Sequence, residues 1–522
     1  MKIRLSVFSL IKKNHLPLTT WLTLFFVMAW VLAACQPGPA APPAAGAEGL
    51  PSSDAALPVS NAQPANSQDS PTPTPYPTRP LYSPGELVDY VAQTGDTLPA
   101  LAVRFNTTVK EILQANTFIP ASATTMPPGM PMKIPIYYMP LWGSPYRILP
   151  DSLFVNGPAQ VGFNTADFVS QYPGWLKSYT AYASGETRTG AEVVDLVAQT
   201  YSVSPRLLLA LLEYQAGALT QPNLPPGSED YILGYKAWDH KGLYMQLGWA
   251  ANLLNNGYYG WRTAHLTTIN YPDGRMERFD PWLNAATVSL HNFFNVLLPH
   301  QKYDIAISAG GFAKTYTELF GDPWQNDQPH IPGSLTQPEF ALPFAPGDNW
   351  AFTGGPHTGW GLGEPYAALD FAPPSVAGGC TSTSQWATAV SSGVVARSET
   401  GVVMLDLDGD GDERTGWDVL YLHMGTDGRA PKGAVLQRGD PVGHPSCEGG
   451  SSTGTHVHIA RKYNGEWISA EGITEGVLSF DLEGWIAHNG SQPYQGTLTR
   501  FSQTVVACQC SNQLSFIQAT RP

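Results

Sequence analysis

Two histidines stand one residue apart at His456 and His458, behind a glycine-rich run from Cys447 to Gly454. On a strand, side chains alternate between faces, so the two imidazoles share one side and Val457 turns away. The glycines ahead of them carry no bulk and let other segments come close. Two imidazoles on one face suit a metal or an acid–base site. His-x-His also arises by chance on solvated strands, so the pair needs partners from elsewhere in the chain.

Those partners stand upstream. Gly354-Gly355-Pro356-His357 is followed by Asp370 within Pro365-Tyr366-Ala367-Ala368-Leu369-Asp370-Phe371-Ala372, and His423 closes the strand-like run Val419-Leu420-Tyr421-Leu422-His423. From about 340 the chain reads as short strands divided by Gly, Pro and Asp turns, an antiparallel β-rich region spanning 340–515. Together these stretches resemble the lysostaphin-type zinc endopeptidases, in their staphylolysin-like branch, where a similar separation divides the first histidine from the aspartate. Most relatives place that histidine four residues before the aspartate, where this chain carries Tyr366. The resemblance therefore implies one zinc held by His357, Asp370 and His458, with a position left for water. It also implies that His456 and His423 flank the metal without binding it. One takes the proton of the attacking water and the other stabilises the oxyanion and leaving amine, with His456 assigned the base.

Four cysteines remain besides Cys35, and outside the cytoplasm an even count suggests disulfides with three possible pairings. Cys380–Cys447 is favoured, because it joins the segment after Asp370 to the one before His456, whereas the Cys508-x-Cys510 pair is awkward to close locally. Asp406-x-Asp408-x-Asp410 resembles the start of a calcium loop, but Trp417 stands where such a loop needs a glutamate; the alternative is a solvated hairpin tip.

The elements that position these residues belong to a chain of 522 residues, long enough for two to four domains. Charged residues make up only 13% and the formal charge is −14. An acidic surface poor in Lys and Arg excludes nucleic acid as a partner. Residues 1–34 run from basic to apolar to small, the order of a secretory signal. Leu32-Ala33-Ala34-Cys35 resembles a bacterial lipobox, which implies a lipidated Cys35 and an extracytoplasmic protein anchored to a bacterial membrane. Residues 35–82 are rich in Pro and Ala with little to bury, a disordered tether able to reach about 140 Å when extended.

Residues 86–138 follow the order strand, helix, helix, strand. Tyr90-Val91, Gly95-Asp96-Thr97-Leu98, Ala102, Phe105, Ile112, Ala115-Asn116 and Gly129 to Pro135 resemble a LysM domain. That resemblance implies binding of N-acetylglucosamine-containing glycan, with a groove at Gly95, Asp96, Thr97, Thr117, Phe118 and Ile119. Residues 145–335 read as mainly helical. Ser204-Pro205 is a capped helix start, and the nearly all-apolar run to Ala216 predicts a buried helix ended by Gly217. Glu213 near its end, with Tyr244-Met245-Gln246 and Tyr316 to Gly321, weakly resembles goose-type lysozymes and lytic transglycosylases, which implies a glycosidase acid at Glu213. Against that, Glu213 reads as a structural carboxylate in a spacer, the favoured reading.

The fold expected is thus multidomain: a small LysM unit, a helical middle and a β-rich metallopeptidase. The function expected is a membrane-anchored, zinc-dependent peptidoglycan endopeptidase that cuts peptide stems or cross-bridges. A bifunctional hydrolase using Glu213 and a non-catalytic wall-binding activator are the rivals.

Overall fold

The computed structural model describes residues 80–520, apart from 141, 273, 326, 375–377, 473–477 and 510–512. The signal segment, the lipidation site Cys35 and the tether up to residue 79 lie outside the described residues. No described helix is long and apolar enough to cross a membrane.

The LysM-like segment is β1 (Glu86–Val91), α1 (Leu98–Arg104), α2 (Val109–Ala115) and β2 (Pro131–Ile136), with the strands antiparallel. Each helix starts at a threonine whose hydroxyl accepts an orphan amide: Thr97 from Ala100 and Thr108 from Glu111. Asn116 ends α2 and exchanges side-chain hydrogen bonds with the Lys133 backbone, fixing the helix to β2. Leu101, Phe105, Ile112, Ile134 and Ile136 are fully buried between them.

The middle region is helical, as its periodicity predicts. α3 (Gly190–Tyr201) opens on a Thr189/Glu192 capping box. α4 (Pro205–Ala216) is capped by Ser204 and closed by Gly217 at φ 63°. Leu207 to Leu212 expose nothing to solvent, which is why every face of that helix is apolar. α5 (Leu243–Arg262) and α6 (Ala285–Leu297) pack beside it in the same core.

The C-terminal region is built on a nine-stranded antiparallel sheet among the described residues. Its central strands are β3 (Asn349–His357), β4 (Ala368–Ala372), β5 (Gly393–Glu399), β6 (Gly401–Asp406), β7 (Trp417–Met424) and β8 (Val457–Tyr463). They run in the order β5-β6-β7-β8-β4-β3. Alternation along each strand divides the sheet into two buried faces. Leu369, Leu405, Val419, Tyr421 and Ile459 pack with Phe480 and with Trp485 and Leu498 of a small second sheet. Ala368, Met404, Leu420, Leu422 and Ala460 turn the other way and join the core of the helical region. This second face carries the candidate site.

One buried ion cluster stitches the regions together. Arg262, at the end of α5, bonds Glu466 through Nε (3.0 Å) and Nη2 (3.1 Å), pairs with Asp151 at 3.1 Å, and donates to the Thr94 carbonyl of the LysM-like segment. Tyr258 and His330 each meet Glu466 Oε2 at 2.7 Å. Burial alone raises Glu466, but Arg262 and His330 override it and hold the carboxyl at about 2.

Candidate metal centre

Pairing between β8, β4 and β7 sets the site. His458 stands opposite Asp370 on one side and Leu422 on the other. His357 reaches the same place because the β3–β4 register slips twice, between Phe352 and Gly354 and again before His357. Alternation would send His423 to the far face from Leu422. A register shift at the β6–β7 pair and a φ of 66° at His423 re-aim its ring, the usual effect of a bulge beside a site. Its ring centroid ends 4.6 Å from that of His456.

Each of these four imidazoles faces a backbone carbonyl, which can only accept. His357 Nδ1 lies 2.8 Å from Gly355 O, His423 Nδ1 3.0 Å from Glu448 O, His456 Nδ1 2.8 Å from Gly454 O, and His458 Nε2 3.1 Å from Gly359 O. Each of those nitrogens therefore carries the proton, and the opposite nitrogen presents a lone pair. The lone pairs of His357 Nε2 and His458 Nδ1 are 3.0 Å apart, and each lies 3.3 Å from Asp370 Oδ1. Asp370 Oδ1 is buried and makes no hydrogen bond of proper geometry. Three acceptors converge with no donor between them. That arrangement fits a cation, and two imidazoles with a carboxylate are a zinc-type donor set.

The surroundings disfavour the charged forms of His423 and His458. Burial, reinforced by His456 and His458, pushes His423 down to about 3. Burial also lowers His458. Burial on its own raises Asp370, but the neighbouring His357 and His456 hold its carboxyl well below the usual range. His357, Asp370, His423 and His458 are almost fully buried, while His456 is partly exposed.

Parts of the chain resemble known proteins. Residues 147–333 match the family described as LasA, N-terminal domain, and residues 90–135 match the LysM domain. Protease LasA of Pseudomonas aeruginosa is 25% identical over 351 residues, covering 63% of this chain and 76% of that protein. Among solved structures, the M23 metalloprotease pseudoalterin is 26% identical over 33% of this chain and 96% of its own, with a TM-score of 0.28. The catalytic domain of lysostaphin from Staphylococcus simulans is 22% identical over 22% of this chain and 80% of its own, with a TM-score of 0.16. The chain thus matches a LysM domain and the N-terminal domain of LasA, and is similar to Protease LasA over 63% of its length.

Tyr366, at the more usual ligand position, stays out of the donor cluster, and its carbonyl accepts from the Ala470 amide. Cys380 and Cys447 are joined by a disulfide, which anchors Glu448 next door and so the carbonyl that holds His423. Sequence reasoning missed Tyr494. Its ring stacks on His357 with centroids 4.1 Å apart, and its backbone bonds Gly355 and Pro356. Burial and Asp370 raise its phenol, so it keeps its proton. Only its place in a Gly/Pro-rich turn marks it in the sequence.

Most of the remaining candidate residues are engaged elsewhere. Glu213 accepts from the Leu219 amide (2.8 Å), the Thr220 amide (3.2 Å) and the Thr220 hydroxyl (2.6 Å), so its carboxylate clamps the loop after α4. Gln246 is spent in the same way on backbone groups of Leu233, Tyr235 and His240. The calcium reading of Asp406, Asp408 and Asp410 is not supported. Their oxygens lie close together, but Asp406 accepts from the Asp408, Gly409 and Gly411 amides, Asp408 from Asp410, and Asp410 from Asp412. They build their own turn. Lastly, the sugar groove expected at Gly95, Asp96 and Thr97 is covered. Asp96 is occupied by Tyr90 and Arg104, and Arg262 lies against Gly95. Residues 331–335 bond along Thr94, Thr124 and Thr125. Thr117 and Phe118 remain exposed, and Ile119 is buried.

Proposed function

We propose that the protein is a zinc-dependent endopeptidase of peptidoglycan peptides, held to the cell envelope through a lipidated Cys35. The observation that carries the metal reading is the convergence of three donorless acceptors on one buried point. His357 Nε2, Asp370 Oδ1 and His458 Nδ1 would hold the zinc. When bound, zinc polarises a carbonyl and acidifies water.

The chain's own residues supply the proton traffic. His456 Nε2 carries a lone pair, is the least buried of the four rings, and lies 3.6 Å from Asp370 Oδ1. The carboxylate stabilises the imidazolium that forms when His456 takes the proton of the attacking water. The same proton is then available to the leaving amine. His423 resists protonation because it is buried among imidazoles, so it acts while neutral, accepting a hydrogen bond and orienting the water. Tyr494 keeps its phenolic proton and can donate to the carbonyl oxygen as charge develops there. The LysM segment contributes wall glycan binding, with Thr117 and Phe118 as the open contact.

The test incubates the purified full chain with peptidoglycan and reads the products by mass spectrometry. New amino termini in peptide stems or cross-bridges are expected. Intact material, or sugar-end products alone, sinks the endopeptidase reading.

A further inference from the structure

We propose that Asn252 and Asn256, on α5 in the helical region, are positioning residues for the metal centre. They hold the loop whose Gly359 carbonyl fixes the tautomer of His458. The inference rests on the zinc reading above and extends it to a helix outside the sheet.

The two asparagines are four residues apart, so their side chains leave α5 on one face. Both grip the tip of the loop that joins β3 to β4, between the ligands His357 and Asp370. The Leu362 amide donates to Asn252 Oδ1 at 2.6 Å, and the Glu364 amide donates to Asn256 Oδ1 at 2.7 Å. Asn256 Nδ2 returns a bond to the Leu362 carbonyl at 3.1 Å. His265, just beyond α5, meets the Glu364 carboxylate at 2.9 Å.

The fit is close enough that the loop needs glycine twice. Gly361 and Gly363 have φ of 87° and 86°, and a Cβ would fall 2.4 Å from Asn252 Oδ1 and 2.1 Å from Asn256 Oδ1. At the root of the loop, the Gly359 amide bonds the Pro365 carbonyl at 3.1 Å. The Trp467 ring and Ala367 fill the space beside Gly359. What emerges from this clamped loop is the Gly359 carbonyl, 3.1 Å from His458 Nε2. It is the partner that puts the proton on Nε2 and leaves the Nδ1 lone pair facing His357 and Asp370. Outer partners of this kind orient metal-binding imidazoles, and losing one typically costs 10–100-fold in metal affinity. The asparagines act one step further out, so the expected loss is about tenfold, the lower end of that range.

The experiment measures the zinc dissociation constant of the full chain by competition with a chromophoric chelator, together with the visible spectrum of the cobalt(II) form. It compares the unmodified chain with Asn252→Ala/Asn256→Ala, with Asn252→Ala alone and with Asn252→Asp. Aspartate keeps the oxygen that accepts from Leu362. The alanine variants should bind zinc about tenfold more weakly and show an altered cobalt spectrum, while Asn252→Asp stays close to the unmodified chain. A merely structural role would lower the unfolding temperature and leave affinity and spectrum alone, and that result overturns the proposal. If the double variant does not fold, Asn252→Ala against Asn252→Asp decides by the same criteria. Failure of the unmodified chain to bind zinc overturns the metal reading and the clamp with it. Binding with unchanged variants overturns the clamp alone.

Discussion

Around Asp370, four imidazoles each surrender their N–H to a main-chain carbonyl and turn a bare nitrogen inward. Removing a ring that faces the metal should therefore differ in kind from removing one beside it. His357→Ala should lose bound zinc, measured by atomic absorption after dialysis, and Tyr366→Phe should keep it. His456→Ala should keep its zinc while kcat falls by about 10²–10⁴, the range for a lost general base. If Tyr366→Phe lost the metal instead, the first ligand would be misassigned. The cluster of His357, Asp370 and His458 was legible in the sequence because the chain holds only 12 histidines and Asp370 interrupts an apolar strand-like run. The carbonyls of Gly355, Gly359, Glu448 and Gly454 were not, since every residue has one and only the folded backbone aims it. Tyr494 was hidden likewise, as one tyrosine among 23.

Elements were readable where local physics fixes them. The start, burial and end of α4 follow from Ser204-Pro205, its run of leucines and Gly217, and all three appear in the structure. Glu213 was harder. A carboxylate on a buried helix looks the same in sequence whether it faces substrate or turns back on its own loop. Here it turns back. Glu213→Ala should cost about 1–2 kcal/mol of stability, consistent with lost charged hydrogen bonds at a partly exposed site, and leave peptide release unchanged. Thermal unfolding read beside the product spectrum checks both, and loss of peptide release at unchanged stability would restore a catalytic role. The re-aiming of His423 was also beyond sequence reasoning, because bulges arise from pairing between strands and not from either strand alone.

Across the whole molecule, Arg262 meets LysM, helical and sheet regions at one buried point, where Glu466 and Asp151 share its charge. Removing the cation strands two buried carboxylates, so Arg262→Ala should destabilise by about 3–5 kcal/mol in denaturant unfolding. A loss below about 1 kcal/mol would show the cluster relaxes or hydrates. The same clusters set an acid limit. Glu466 is held at about 2 by Arg262 and His330 against burial, and Glu413 at about 2 by Arg397 and Lys462 against burial. A depressed carboxyl adds stability that is full above its ordinary value near 4.5 and is lost as pH falls through 2. Unfolding free energy should therefore drop between pH 7 and pH 3 by about 2 kcal/mol for each group. Asp151, raised by burial, works in the opposite sense and trims that loss. The order of the regions was legible from their motifs. Their packing was not: nothing in the LysM motif signals that residues 331–335 of the same chain lie along its turn.

The most direct test is the digestion of purified peptidoglycan by the full chain with zinc, after chelation, and with zinc restored, scored by mass spectrometry. New amines that vanish on chelation and return with zinc are the predicted result. Peptide cleavage that survives complete metal removal, or release of sugar ends without new amines, would contradict it.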